Sequence, residues 1–201
     1  MAKKTLSIIV VDDEKLILKC ISSVLDSHKE IKVVGEALSA EECYRMFDEL
    51  DPDMVLMDIC LKKTNGFEVM KNLRKRKPSC KFLMMSSLRK KLIESAIDNG
   101  ANGFISKSSG PKEMFTAITE ISNGNTYIPS FFSNEKNKNS LVRLSKRERQ
   151  ITLKIREEPS LSTKELAAMF GISVNTMYSH KKHIFDKIGV CNTYELSRRL
   201  N

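Results

Sequence analysis

A chain of 201 residues with 41% hydrophobic content can bury one large core or, more in keeping with its length, two small ones. The formal charge of +9 is uneven: residues 1–124 carry 20 Lys+Arg against 18 Asp+Glu, and residues 125–201 carry 14 against 7, which points to a polyanionic partner for the last third. No apolar run approaches the ~18 residues of a membrane span, and five scattered cysteines without a Cys-x-x-Cys pair argue against a disulfide framework or a zinc site, so reduced thiols and a cytoplasmic location are expected.

Residues 7–11 read as a strand ending on Asp12, Asp13 and Glu14, and 15–27 as a helix with Leu16, Cys20 and Val24 near one face. A second strand spans 31–37. Ser39-Ala-Glu-Glu42 is a capping-box pattern that opens a helix to about Leu50, where Pro52 stops it. The next strand, 54–58, ends on Asp58, and a helix follows from Gly66 until Pro78 breaks it. Strands at 82–86 and 103–106 flank a helix over 90–99, and a last helix covers 111–122, with proline at its start and Gly124 past its end. Strands alternating with helices in this way imply an α/β fold, a five-stranded doubly wound parallel sheet. Residues 125–143 form a polar linker in which Phe131 and Phe132 are the candidates to pack back. From Leu144 the pattern is helical only, at 146–156, 163–169, 174–188 and 193–200, a second and all-α domain. The expected division is 1–124, 125–143 and 144–201.

In a parallel sheet, ligands collect beyond the carboxyl ends of the strands. Two strands that end on Asp12-Asp13 and on Asp58 therefore bring oxygen donors together, a set suited to a hard cation. Ser86 and Lys107 end the fourth and fifth strands. Each of these residues alone has an ordinary explanation: a helix cap, a strand-end hydroxyl, a surface lysine. Their common placement is what makes the group specific.

These positions resemble the receiver domain of bacterial two-component response regulators over residues 5–124. The resemblance implies that Asp58 is the phosphoacceptor and that Asp12, Asp13, Asp58 and the backbone carbonyl of Cys60 hold Mg²⁺. It implies too that Lys107 and Ser86 (or its neighbour Ser87) bind the phosphoryl oxygens, and that Phe104 is the aromatic that turns inward on phosphorylation. Departures from the family pattern lie beside the site: Leu61 and Lys62 replace the frequent Met-Pro, Ser108 replaces a frequent proline, and the loop after Ser86 is short. The run Arg74-Lys-Arg-Lys77 reads as a solvated helix end, and Cys60 as a packed thiol.

In the last third, Gly171 supplies a tight turn between two short helices. On the second of them Met177, His180, Ile184 and Ile188 recur at spacings of three and four, a buried stripe that makes His180 a core histidine. The opposite face carries Asn175, Tyr178, Ser179, Lys182 and His183, a polar surface of a size for the major groove. Leu144-Ser-Lys-Arg-Glu148, Ser162-Thr-Lys-Glu-Leu-Ala167 and Thr176-Met-Tyr-Ser-His180 through Lys187-Ile-Gly-Val190 resemble the LuxR-type helix-turn-helix of NarL/FixJ-type regulators. By position in that family, Tyr178, Ser179 and Lys182 read bases. Lys164, Thr176, Lys181 and Lys187 contact phosphates, and Asn175 belongs to the same DNA-binding face. Tyr178 stands where a lysine is common, and the connection through Glu157-Glu-Pro is longer than usual, with its two acids expected to face away from DNA.

The resemblance implies a transcriptional regulator rather than an enzyme. Its partners would be a sensor histidine kinase, double-stranded promoter DNA, RNA polymerase and, when active, a second copy of itself in a homodimer. The alternative is a DNA-binding regulator independent of phosphorylation, its receiver serving only for docking or dimerisation. A phosphohydrolase fits poorly, because the position two after Asp58 is Cys60 and not an acid. An RNA-binding output is disfavoured by the Gly171 turn and the Tyr178–Lys182 face.

Overall fold

The computed structural model describes residues 5–87, 96, 98–129 and 144–199. The chain forms two compact units, Met1–Lys136 and Asn137–Asn201.

The first unit runs β1 (Leu6–Val11), α1 (Lys15–Asp26), β2 (Ile31–Ala37), α2 (Ala40–Leu50), β3 (Met54–Asp58), α3 (Gly66–Arg76), β4 (Lys81–Ser86), β5 (Gly103–Ser106) and α4 (Pro111–Ser122). Of the helix expected over 90–99, only Ala96, Asp98 and Asn99 are described, the first two helical; Phe131 and Phe132 lie outside the described residues. The sheet order is β2-β1-β3-β4-β5, and all four pairings are parallel. Every residue of β3 is buried, as a central strand covered on both faces requires. The winding direction reverses between β1 and β3, so the crevice of this sheet opens beyond Val11 and Asp58.

The structure corrects the expected face of α1. Leu18, Ile21, Ser22 and Leu25 are buried there, while Leu16 is 77% exposed and Cys20 is also exposed; of the expected face only Val24 packs, half-buried, against the core. Both stripes have helical spacing. The one with branched aliphatics at three of its four positions wins the contact with Ile8, Val10 and Ile118.

The basic end of α3 is corrected as well. Arg74 stacks on the Phe82 ring at 5.0 Å and its guanidinium donates to the Gly100 carbonyl at 2.5 Å and to Asn102 Oδ1 at 3.2 Å. Arg76 pairs with Asp48 at 2.6 Å, and Lys77 Nζ donates to the carbonyls of Asp51 and Pro52 at 3.0 and 2.9 Å. Charge that complements the carboxyl end of the helix thus also ties α3 to its neighbours.

Two close approaches matter for the crevice. Asn65 caps α3 by accepting from the Phe67 N–H at 2.8 Å, which starts the helix directly beneath the end of β3. A Cβ on Gly66 would lie 2.3 Å from the Asp58 carbonyl oxygen. At the other edge, the Phe104 N–H donates to the Tyr127 carbonyl at 2.9 Å, and the Tyr127 N–H to the Asn102 carbonyl at 3.1 Å. Residues after α4 therefore line the free edge of β5.

The second unit contains α5 (Lys146–Glu157), α6 (Thr163–Met169), α7 (Val174–Ile188) and α8 (Thr193–Arg199). Ser145 with Glu148 and Ser162 with Glu165 form complete capping boxes, and Ser173 caps α7 through the Thr176 N–H. Gly171 (φ +62°) and Gly189 (φ +77°) take left-handed backbone at the turn and at the end of α7. The core joins Ile151 and Ile155 to Leu166, Ala167, Met177, Ile184, Phe185, Val190 and Leu196. No described helix is long and apolar enough to cross a membrane.

Gly66→Ala forces backbone against backbone at the end of β3. We expect it to lower the unfolding free energy of the first unit by roughly 1–3 kcal/mol, read as a lower urea midpoint with unchanged slope.

Candidate functional site

The crevice gathers the acids that the strand ends deliver. Carboxylate oxygens of Asp12, Asp13 and Asp58 lie within 4.8 Å of one another. Asp12 and Asp58 are buried, at 0% and 2% exposure, and Asp13 is half-buried. Lys107, just past β5, reaches across the sheet: its Nζ is 2.7 Å from Asp12 Oδ2, 2.9 Å from Asp58 Oδ2 and 3.6 Å from Glu14 Oε1. The loop N–H groups orient the acids, Glu14 N donating to Asp12 Oδ1 at 2.9 Å and Cys60 N to Asp58 Oδ1 at 3.0 Å. Ser86 is buried at the end of β4, with its Oγ 3.6 Å from Cys60 Sγ, while Ser87 is exposed. The Lys107 N–H donates to the Ser86 carbonyl at 2.9 Å, so the serine and the lysine share one backbone tie. Phe104, on β5, is buried.

The electrostatics follow from this crowding. Burial pushes the Asp58 carboxyl above the ordinary carboxylate range, against the opposing pull of Lys107 and of the Cys60 N–H. Burial also works to lower the Lys107 ammonium, yet the carboxylates of Asp58 and Asp12 beside it hold it above the ordinary lysine range. Asp12 Oδ2, although close to Lys107, takes no well-angled hydrogen bond. A buried carboxylate oxygen with spare accepting capacity, beside two more carboxylates, fits a hard divalent cation such as Mg²⁺.

One contact here has no counterpart in the sequence reading. Lys62, from the loop after Asp58, lies 3.5 Å from Asp13 Oδ2 and donates to the Asp13 carbonyl at 3.3 Å. It lines a cavity of about 430 Å³ with Asp13, Lys15, Ser39, Glu41 and Lys63. Its positive charge beside the pocket is visible in the sequence, but its partner is not.

In the second unit, Asn175, Thr176, Tyr178, Ser179, Lys182 and His183 are all exposed on α7, and Lys164 is exposed on α6. Met177 and Ile184 are buried, and so is Phe185, which the expected stripe omitted; His180 and Ile188 are only half-buried. Lys181 is partly covered. Its Nζ donates to Thr163 Oγ1 at 3.1 Å and sits 5.9 Å from the centroid of the Phe185 ring, and burial lowers its ammonium below the ordinary range.

Lys187, expected to contact phosphate, also has a partner within the unit. Its Nζ donates to both carboxylate oxygens of the buried Glu148, at 2.9 and 2.8 Å, so its charge is engaged between α5 and α7. Lys154 pairs with Glu158 at 2.6 Å and with Glu157 at 3.8 Å, which holds both close to their own helix.

Residues 8–119 match the family described as response regulator receiver domain. Residues 142–200 match the bacterial regulatory proteins of the luxR family. Response regulator protein VraR of Staphylococcus aureus (strain Mu3 / ATCC 700698) is 30% identical over 193 residues, covering 92% of this chain and 91% of that protein. A two-component response regulator of the LuxR family from Aurantimonas sp. SI85-9A1 superposes with a TM-score of 0.62 at 28% identity, over 66% of this chain and 95% of its own. RcsB of Salmonella enterica serovar Typhimurium, solved bound to a promoter with the phosphomimetic BeF3−, gives a TM-score of 0.62 over 98% of both chains. Its 23% identity carries the fold alone.

The Glu148–Lys187 pair makes the second unit acid-sensitive. Lys187 above all, opposed by burial and helped by Ser145, holds the Glu148 carboxyl down at about 2 against an ordinary 4.5. A depressed folded value means that the stabilisation is complete above 4.5 and drains as pH falls through about 2. In the full chain, amide-exchange protection at Ile151 and Leu166 is expected to fall across that window. Glu148→Gln should start less protected at neutral pH and lose less on acidification.

Proposed function

This chain belongs to the response regulators that join a receiver domain to a LuxR-type DNA-binding domain; from that membership we propose that Asp58 accepts a phosphoryl group from a sensor histidine kinase and that the phosphorylated protein binds promoter DNA as a homodimer. We assign the receiver to residues 1–124, the linker to 125–143 and the DNA-binding domain to 144–201. The observation that carries the reading is the buried Asp58 carboxylate, 2.9 Å from Lys107 and grouped with Asp12 and Asp13.

In the transfer, an Asp58 oxygen attacks phosphorus, the donor's P–N bond breaks, and the electron pair leaves with the histidine. Lys107 changes partner: the ammonium that neutralises Asp58 before transfer pairs with phosphoryl oxygens afterwards. Ser86, at the end of β4, would donate its hydroxyl to one of those oxygens. Asp12 and Asp13, with Asp58 and the Cys60 carbonyl, would hold Mg²⁺, which supplies neutralisation of the phosphoryl charge. A group of roughly −2 charge at Asp58 draws Ser86 toward it and opens room for Phe104 to rearrange. Tyr127 is hydrogen-bonded to the Phe104 backbone, which offers a route from that change to the linker.

On DNA, Tyr178, Ser179 and Lys182 would meet base edges in the major groove. Lys164, Thr176, Lys181 and Lys187 would contact phosphates, which position the helix without specifying sequence, and Asn175 belongs to the same DNA-binding face. RNA polymerase is the further partner that a promoter-bound regulator requires. The cytoplasm is where kinase, polymerase and DNA are all at hand.

Asp58→Asn is expected to abolish incorporation of labelled phosphate from a small phosphodonor with Mg²⁺, while wild type is labelled; a labelled variant would refute the assignment. Promoter affinity of wild type should rise with the donor and that of Asp58→Asn should not. Equal affinities would favour a regulator independent of phosphorylation. Tyr178→Ala and Lys182→Ala should each cost about 1–3 kcal/mol and relax preference at the bases they meet, whereas Lys164→Ala should weaken all sequences alike and lower the salt slope by about 1.

A further inference from the structure

We propose that Lys62 is a built-in competitor of the divalent cation at Asp13, so that the loop following the phosphoacceptor sets how readily the pocket takes metal. The proposal rests on the reading of the acidic pocket as an Mg²⁺ site and adds a residue to it.

All three carboxylates already face an ammonium. Lys107 serves Asp12 and Asp58 from a side chain that is only 12% exposed. Lys62 serves Asp13, the most accessible acid of the three, at 3.5 Å, and is fastened to the same residue by the hydrogen bond to its carbonyl. A cation entering the pocket must take Asp13 Oδ2 from Lys62 or share it, and two cations on one carboxylate repel.

The two lysines differ in how firmly they are held. Lys107 is enclosed and bound to two buried acids. The Lys62 side chain is 75% exposed, so it gives up few contacts when it swings into solvent, and its attraction for Asp13 is screened by salt. A weak, exposed counterion of this kind tunes affinity without blocking the site. The consequence for the chain is a higher Mg²⁺ threshold for phosphorylation than the acid cluster alone would set, and one that depends on ionic strength.

The test is Mg²⁺ binding by titration calorimetry to the full chain, with no phosphodonor present, so that the readout is independent of transfer. Lys62→Gln should bind Mg²⁺ roughly two- to fivefold more tightly than wild type, the range of a solvent-exposed ion pair, and the ratio should shrink toward one in high salt. Lys63→Gln removes the same charge from the same loop and cavity but leaves the Lys62–Asp13 pair, and should change affinity less. Equal affinity of Lys62→Gln and wild type overturns the proposal, as does weaker binding by Lys62→Gln, or tightening by Lys63→Gln of the same size. If none of the three proteins binds Mg²⁺, the metal reading of the pocket falls with it, an outcome distinct from equal binding by all.

Discussion

Lys107 is the interaction on which the first unit turns. Three carboxylates at the ends of β1 and β3 would repel one another in a crevice that excludes most water, and burial already pushes Asp58 toward its neutral form. One ammonium from the far strand, 2.7 and 2.9 Å from two of them, makes the cluster tolerable. It also closes the crevice across β1, β3 and β5, since the lysine must cross the intervening β4 to reach them. A site held together in this way is poised, because any new anion on Asp58 competes for the same ammonium.

The surrounding structure keeps that crevice narrow. Gly66 lets α3 begin against the last residue of β3, and the loop N–H groups of Glu14 and Cys60 fix one oxygen of Asp12 and one of Asp58. The remaining oxygens are left to cations. On the opposite edge, the backbone pairing of Tyr127 with β5 places the chain that leaves the sheet against the strand carrying Phe104.

The second unit solves a different problem with similar means. Its helices are short, two of them seven residues long, and such helices are marginal on propensity alone. Two capping boxes, left-handed glycines at the turn and at the end of α7, and the Glu148–Lys187 pair compensate. With this scaffold set, the exposed side of α7 is free to carry Asn175, Tyr178, Ser179 and Lys182.

By itself the sequence determined the order of the described strands and helices, the acids at the strand ends, the Ser39 cap and the Gly171 turn. All of these are local: a run, a period or a spacing within a few residues is enough to state them, and the order of strand-end acids, serine and lysine is enough to suggest the family. Contacts between residues distant along the chain were decided only in the tertiary structure. Two stripes of helical spacing were available on α1, and the neighbouring strands selected Leu18, Ile21 and Leu25. Lys187 meets Glu148 of α5, which comes to it from 39 residues away. Arg74, Arg76 and Lys77 looked solvated until α2 and the loops around β3 and β5 supplied their partners. Lys62 found Asp13 across 49 residues of sequence. Periodicity reports which face a residue occupies, but an ion pair depends on which two faces meet, and that is a property of the packed sheet and bundle.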